Sequence, residues 1–275
     1  IGFNETTKSD VYIPKSGLYQ NFLITGTIGS GKTSSAMYPF TEQFLEFNSN
    51  YPNQKISMLI LDVKGNYYSQ VKQFCKTYDL LSDLIVIELH SHIYYNPLHK
   101  PHLKAQVLAN RLKTILLLFS ENNSESYWLD KAEQVLSECI KLCRFYNQGY
   151  VTFLELHKLV TIPTYYKEKI PILKELFIKG KLKKQEIYEL NACLDFFQKE
   201  FESLDQRTRA ILISEITRIT NTFISDYDVM SCFCSPKEKL TFTGFEEVIK
   251  KGKIVVLNMN ISEYANLSKI IATYL

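Results

Sequence analysis

Asn21-Phe-Leu-Ile-Thr-Gly26-Thr-Ile-Gly-Ser-Gly31-Lys32-Thr33-Ser34-Ser35 decides how the rest of this chain is read. Phe22-Leu-Ile is a short apolar run of the kind that forms a buried strand. Gly26 to Thr33 fits the spacing G-x-x-x-x-G-K-[ST], a loop that cradles phosphate. Its three glycines let the backbone curl until successive N–H groups face one anion. The following segment, from Ser34 onward, continues as a helix, whose positive end adds to the attraction. The candidate nucleotide-binding residues are therefore Gly26, Thr27, Ile28, Gly29, Ser30, Gly31, Lys32, Thr33 and Ser34. Lys32 is expected to reach the β- and γ-phosphates of ATP as a catalytic cation, and the Thr33 hydroxyl to ligate Mg²⁺. The competing reading is a Gly/Ser surface turn whose lysine is merely solvated.

Working outward, the pattern alternates strand and helix. Val11-Tyr-Ile-Pro14 predicts an edge strand leading into the loop strand, because proline cannot donate to a sheet ladder. The helix after the loop is predicted to run to about Phe47. Ile56-Ser-Met-Leu-Ile-Leu-Asp62 is nearly continuous in apolar residues, which suits a parallel strand covered on both faces. Strand, helix, strand is a βαβ unit, and ligands sit at the carboxyl ends of such strands. Asp62 falls there. It is a candidate catalytic and metal residue, supporting the magnesium shell through water, or else it caps a helix or closes a turn. Leu84-Ile-Val-Ile-Glu88 predicts a third strand and Lys253-Ile-Val-Val-Leu-Asn258 a later one. Helices are predicted over His102–Phe119, from Trp128 onward, over Thr152–Leu159, Ile170–Lys179, Lys184–Ser203, around Leu212–Phe223 and over Ser262–Leu275. Ser126 and Ser262 are plausible helix caps, and Glu121–Ser126 a polar loop. The fold class is thus α/β, a nucleotide-binding domain with a parallel-rich central sheet, interrupted by an all-α insertion. The boundaries read as 1–125, 126–205 and 206–275.

Composition sets outer limits. The chain has 275 residues, 45% hydrophobic and 22% charged, with net charge +3. That is ample material for a core, and the charge is too mild to imply nucleic acid by itself. Six scattered cysteines read as reduced thiols; Cys232 and Cys234 are spaced too tightly for a zinc pair. His90, His92, His99 and His102 lie in a turn-rich stretch without nearby cysteines, and no metal role is expected of them. No run reaches the roughly 18 apolar residues of a membrane span. Since the sequence begins at Ile1 and stops at Leu275 within a helical pattern, it is expected to be part of a longer protein.

Several stretches, in order, resemble one family. Leu23-Ile-Thr-Gly-Thr-Ile-Gly-Ser-Gly-Lys-Thr33 resembles the phosphate loop of the type IV secretion coupling proteins, the TraG/TraD-type conjugation ATPases of the FtsK/HerA superfamily. Leu59-Ile-Leu-Asp62-Val-Lys64-Gly65-Asn66 resembles their Asp-Pro-Lys-Gly-Glu strand end, although Val63 and Asn66 replace the usual Pro and Glu. Asn96-Pro97-Leu98 resembles their Asn-Pro turn. Tyr127-Trp128 resembles the start of their all-α domain, Leu204-Asp-Gln-Arg207-Thr-Arg209 the return from it, and Gly252-Lys-Ile-Val-Val-Leu257 the next core strand.

The resemblance implies a RecA-like P-loop motor that hydrolyses ATP with Mg²⁺, a homo-hexamer when full length. It further implies single-stranded DNA with its relaxase as cargo and the components of a secretion channel as partners. The full-length protein would be held at the cytoplasmic face of the bacterial inner membrane by a segment outside this chain. The family's Asp-Glu pair, with its catalytic glutamate, is expected beyond Leu275, so hydrolysis by this stretch alone is in doubt. Lys64 either meets a phosphate or a neighbouring subunit, or stays solvated. Arg207, Arg209 or Arg218 senses nucleotide, or makes surface ion pairs. Lys167, Lys169, Lys174, Lys179, Lys181, Lys183 and Lys184, beside Tyr165 and Tyr166, either contact phosphates and stack bases or form an ordinary solvated face with Glu168 and Glu175. The alternatives are a double-stranded DNA translocase of the FtsK/HerA group, or a nucleotide-binding module without motor activity.

Overall fold

A computed structural model describes residues 2–62, 64–119, 126–258 and 261–274. In chain order the elements are β1 (Gly2–Asn4), β2 (Ser9–Val11), α1 (Tyr38–Glu46), β3 (Met58–Asp62), α2 (Tyr67–Thr77), β4 (Leu84–Ile87), α3 (Ala105–Phe119), α4 (Ser126–Tyr146), α5 (Phe153–Thr161), α6 (Ile170–Ile178), α7 (Lys184–Asp195), α8 (Gln206–Ile224), α9 (Tyr227–Phe233), α10 (Phe245–Lys251), β5 (Ile254–Asn258) and α11 (Ile261–Tyr274). The fold is α/β, with a three-stranded parallel sheet in the order β3-β5-β4. Two units divide the chain, one of Ile1–Val86 and Phe245–Asn258, the other of Ile87–Gly244 and Met259–Leu275. The caps expected at Ser126 and Ser262, the loop before Ser126 and the Val63 position fall on side chains or residues outside those described.

In the sheet unit the central strand comes from far along the chain. β5 pairs with β3 in parallel register, Met58 beside Ile254 through Asp62 beside Asn258. The four apolar residues of β5 are buried throughout, as a central parallel strand requires. Ile254 and Val256 join Leu45 of α1 and Tyr67, Val71, Phe74 and Cys75 of α2 in one buried cluster, against which Met58 and Ile60 pack. The expectation that the strand ending at Asp62 is covered on both faces is corrected. Leu59 and Leu61, pointing the other way, are each 44% exposed. Alternation along a strand sends successive side chains to opposite faces, and the helices α1 and α2 cover one of them.

The strand expected at Phe22-Leu-Ile is also corrected. Residues 21–27 carry no ladder, and Leu23 is 88% exposed. Phe22 finds a ring on α1 instead, with its centroid 5.9 Å from that of Phe40. Nor does the Val11–Pro14 run lead into such a strand. Ser9–Val11 pairs antiparallel with Gly2–Asn4, and Lys15–Tyr19 then winds a short 3-10 turn, closed by Gly17 N–H donating to the Pro14 carbonyl at 2.8 Å.

The helical unit is larger than the 126–205 segment read from sequence. α4 packs on α3, α5, α7 and α8, and α11 packs on α3 and α8. Leu112, Ile115 and Leu116 of α3 and Leu212, Ile216 and Ile219 of α8 are all buried. These are amphipathic stripes whose partner helix a periodicity cannot name. Phe153 of α5 stacks on Phe223 of α8 at 3.9 Å and 4°. Asp205 caps α8 by accepting from the N–H groups of Arg207 and Thr208, both at 3.0 Å. Asn96 is buried, donating to the Val151 carbonyl at 2.7 Å and accepting from Leu98 N–H at 2.9 Å. The Asn-Pro-Leu turn thereby holds the approach to α5.

Asp83 pins the amino end of the sheet. It pairs with Lys55 ahead of β3 and with Lys253 Nζ ahead of β5, the latter at 2.7 Å. Burial raises its pKa, but the two ammonium groups outweigh that, and the pKa falls below the ordinary carboxylate value. A depressed folded-state pKa contributes stability above the unfolded value, lost as pH falls through the folded one. We predict that Asp83→Asn lowers the melting temperature by about 2–4 °C at pH 7. The gap from wild type should close below about pH 4, as followed by circular dichroism.

Candidate phosphate-binding site

The Gly26–Ser34 loop is built from local constraints. Gly29 and Gly31 sit at φ +81° and +82°, the left-handed region that glycine enters without a Cβ penalty. Gly26 is tight for another reason: a Cβ there would lie 2.6 Å from Ser30 Oγ. Ser30 N–H donates to the Thr27 carbonyl at 3.3 Å. The curl is closed by the lysine. Lys32 Nζ donates to the carbonyls of Gly26 at 2.7 Å and Thr27 at 2.6 Å. The ammonium thus folds back over the loop instead of extending into solvent.

Helix begins immediately after. Lys32–Met37 winds as a π-helix, with Tyr38 N–H donating to the Thr33 carbonyl, and α1 continues to Glu46. The N–H groups of a first helical turn have no acceptor within the helix. With them, the helix's positive end faces the loop. Thr33, Ser34 and Ser35 are all exposed, so three hydroxyls reach the surface at this end. Ser34 Oγ donates to the Gly31 carbonyl at 3.2 Å. Such a loop, with backbone donors, an ammonium and a threonine hydroxyl, has the chemistry to hold a phosphate chain and one oxygen ligand for a hard cation.

Asp62 ends β3 and is buried. One carboxylate oxygen accepts from the N–H groups of Lys64 at 3.2 Å and Gly65 at 2.9 Å. The other accepts from Tyr67 at 2.7 Å and Tyr68 at 2.9 Å. Of the two roles that sequence left open, these bonds are those of a turn-closing and helix-capping carboxylate. Direct metal ligation would compete with four donors. Gly65 takes φ +72° in that turn, and Lys64 is exposed on it. Asn258, at the end of β5, lies beside Gly65. Among the described residues no group of three or more His, Cys, Asp or Glu side chains could hold a metal ion. A magnesium ion here would therefore draw on phosphate oxygens and water as well as Thr33.

Three residues that sequence reasoning did not single out join the loop helix to the Asp62 turn. Tyr38 opens α1 and packs its ring 5.0 Å from that of Tyr67. The hydroxyls of Thr41 and Tyr67 hydrogen-bond at 2.7 Å in a buried setting. Burial, first of all, raises the Tyr67 hydroxyl above the ordinary tyrosine value. The signal in the sequence is faint: an aromatic just after the turn, and a threonine inside a helix.

No family model, curated protein or solved structure matches this chain.

The remaining candidates lie in the helical unit. Arg209 donates to the carbonyls of Phe201 at 2.7 Å and Glu202 at 2.9 Å, its guanidinium over the Phe201 ring. Arg218 pairs with Glu215 at 3.1 Å, and Arg207 is exposed. Of the two readings left open for Tyr165 and Tyr166, the contacts do not favour base stacking. Tyr166 is buried against Phe197, and its hydroxyl donates to Glu202 at 2.8 Å. Tyr165 donates to Glu155 at 3.0 Å while the Lys169 ammonium sits 4.1 Å from its ring centre. Lys167 and Lys179 pair with Glu202 and Glu175. Lys174, Lys181, Lys183 and Lys184 are exposed. All six cysteines are free, and burial pushes the Cys143 thiol up to about 12. No helix among the described residues is long and apolar enough to cross a membrane.

Replacing Asp62 by Asn keeps its size but turns two acceptor sites into donors facing N–H groups. We predict that Asp62→Asn costs about 2–4 kcal/mol of stability and speeds amide exchange at Tyr67 and Tyr68. Chemical denaturation with hydrogen-exchange mass spectrometry checks both; unchanged exchange there would contradict the capping role.

Proposed function

We propose that this chain is the nucleotide-binding part of an ATP-driven coupling motor. In this reading the Gly26–Thr33 loop cradles ATP–Mg²⁺, and the assembled protein helps move single-stranded DNA with its relaxase into a type IV secretion channel. One observation carries the nucleotide half: a glycine-shaped loop running into a helix, with Lys32 folded over its own carbonyls. A merely solvated lysine on a surface turn has no reason to adopt that position, because an ammonium is well hydrated in water. A phosphate chain offers the same ammonium stronger, charged acceptors.

The mechanism follows from these groups. The loop N–H groups and the helix end meet the β-phosphate. Lys32 leaves the Gly26 and Thr27 carbonyls for the β- and γ-oxygens, where it offsets charge developing in phosphoryl transfer. Thr33 would hold a magnesium ion through its hydroxyl, and that ion would offset phosphate charge. Asp62 acts at one remove by fixing the turn at Lys64–Asn66. A base to orient water is assigned to no residue of this chain.

The transport half rests on the order of the motifs along the chain, and on the run of helices α3 to α9 that separates β4 from β5 in sequence as part of the helical unit. That same unit favours a coupling ATPase over a double-stranded DNA translocase of the FtsK/HerA group. Hexamer formation, secretion-channel partners and attachment to the inner membrane are part of the same proposal.

We predict that Lys32→Ala weakens ATP–Mg²⁺ binding by about 100-fold or more, the scale of removing one partner of a desolvated charge pair. Titration calorimetry reads this directly, and unchanged affinity would overturn the assignment.

A further inference from the structure

The loop helix and the Asp62 turn meet in one side chain. Tyr67 is the first residue of α2, and it is held at both ends. Its backbone N–H donates to Asp62 at 2.7 Å. Its hydroxyl, buried, bonds Thr41 in the middle of α1 at 2.7 Å. Between these ends its ring packs on Tyr38. Tyr38 in turn donates its N–H to the carbonyl of Thr33, the proposed magnesium ligand. The path from Thr33 to Lys64 therefore runs through packed or hydrogen-bonded neighbours of the sheet unit at every step.

From this geometry we infer that Tyr67 is a positioning residue that couples occupancy of the Gly26–Thr33 loop to the Lys64–Asn66 turn. The inference rests on the phosphate-site reading given above. Two features make the coupling physical. The six residues before α1, Lys32–Met37, are wound as a π-helix, a winding frequent at functional sites, so a ligand that takes hold of Thr33 acts on the turn from which α1 continues. A shift of α1 also drags Thr41, and a buried hydroxyl pair does not part cheaply because each partner would be left unsatisfied. The Asp62 turn, bound to the same tyrosine through its backbone, follows. Lys64 is the exposed cation on that turn, so loop occupancy sets where that charge is presented.

The test uses the full chain, ATP–Mg²⁺ as probe, and the variants Tyr67→Phe, Thr41→Val and the double mutant. Tyr67→Phe keeps the ring on Tyr38 and removes only the hydroxyl. Each single change should weaken ATP–Mg²⁺ binding about fivefold, and the double mutant no more than either, as expected for groups acting as one pair. Hydrogen-exchange mass spectrometry supplies the readout that a merely structural role would not move. ATP should slow exchange over residues 64–68 in wild type, and that slowing should vanish in Tyr67→Phe. If Tyr67→Phe proves unstable, Thr41→Val carries the same two measurements. Wild type that binds ATP, with both single variants matching it in affinity and in the 64–68 response, overturns this inference alone. Wild type that binds no ATP overturns the phosphate-site reading and this inference with it.

Discussion

The sheet unit depends on one buried carboxylate. Asp62 is removed from water at the end of β3, where a bare charge would be very costly. It is tolerated because four backbone N–H groups converge on it. That requirement dictates the chain beyond it. The backbone must turn back at once, Gly65 must take a left-handed conformation, and α2 must begin at Tyr67 so that its first two N–H groups point at the carboxylate. Once α2 starts there, Val71, Phe74 and Cys75 fall on the face that meets α1 and the sheet. Tyr67 comes to lie under Tyr38 and Thr41. A charge that cannot be hydrated thus fixes the helix that supports the Gly26–Thr33 loop.

The loop itself is held by a second charge. Lys32 spends its hydrogen bonds on Gly26 and Thr27. This keeps the curl shaped. In the proposed reading, these two neutral carbonyl acceptors would give way to anionic oxygens, which bind an ammonium more strongly. It also explains the glycines. Positions 29 and 31 need the left-handed backbone, and position 26 needs the room that Ser30 takes.

Much of this was legible in the sequence. The glycine and lysine spacing located the loop, and long apolar periodicities located β3, β4, β5 and most helices to within a few residues. Other features were not legible, for identifiable reasons. Phe22-Leu-Ile has strand composition, but a strand exists only with a neighbour to complete its ladder, and Phe22 is drawn to Phe40 instead. Tyr165 and Tyr166 look like exposed aromatics among lysines. Their hydroxyls, however, are claimed by Glu155 and Glu202 on other elements. The Tyr67–Thr41 bond spans 26 residues, and no local pattern announces it. The size of the helical unit was hidden for a similar reason: the stripes on α3 and α8 are visible in sequence, but not that both turn to α4.

The most direct test of the account is a structure of the chain with a slowly hydrolysed ATP analogue and Mg²⁺. The account predicts the β-phosphate within about 3 Å of the backbone nitrogens of the loop and first helical turn. Lys32 Nζ should have moved from the Gly26 and Thr27 carbonyls onto the phosphate oxygens, with the Thr33 hydroxyl on the metal. A nucleotide bound elsewhere, or a lysine still seated on those two carbonyls beside a bound phosphate, would contradict it.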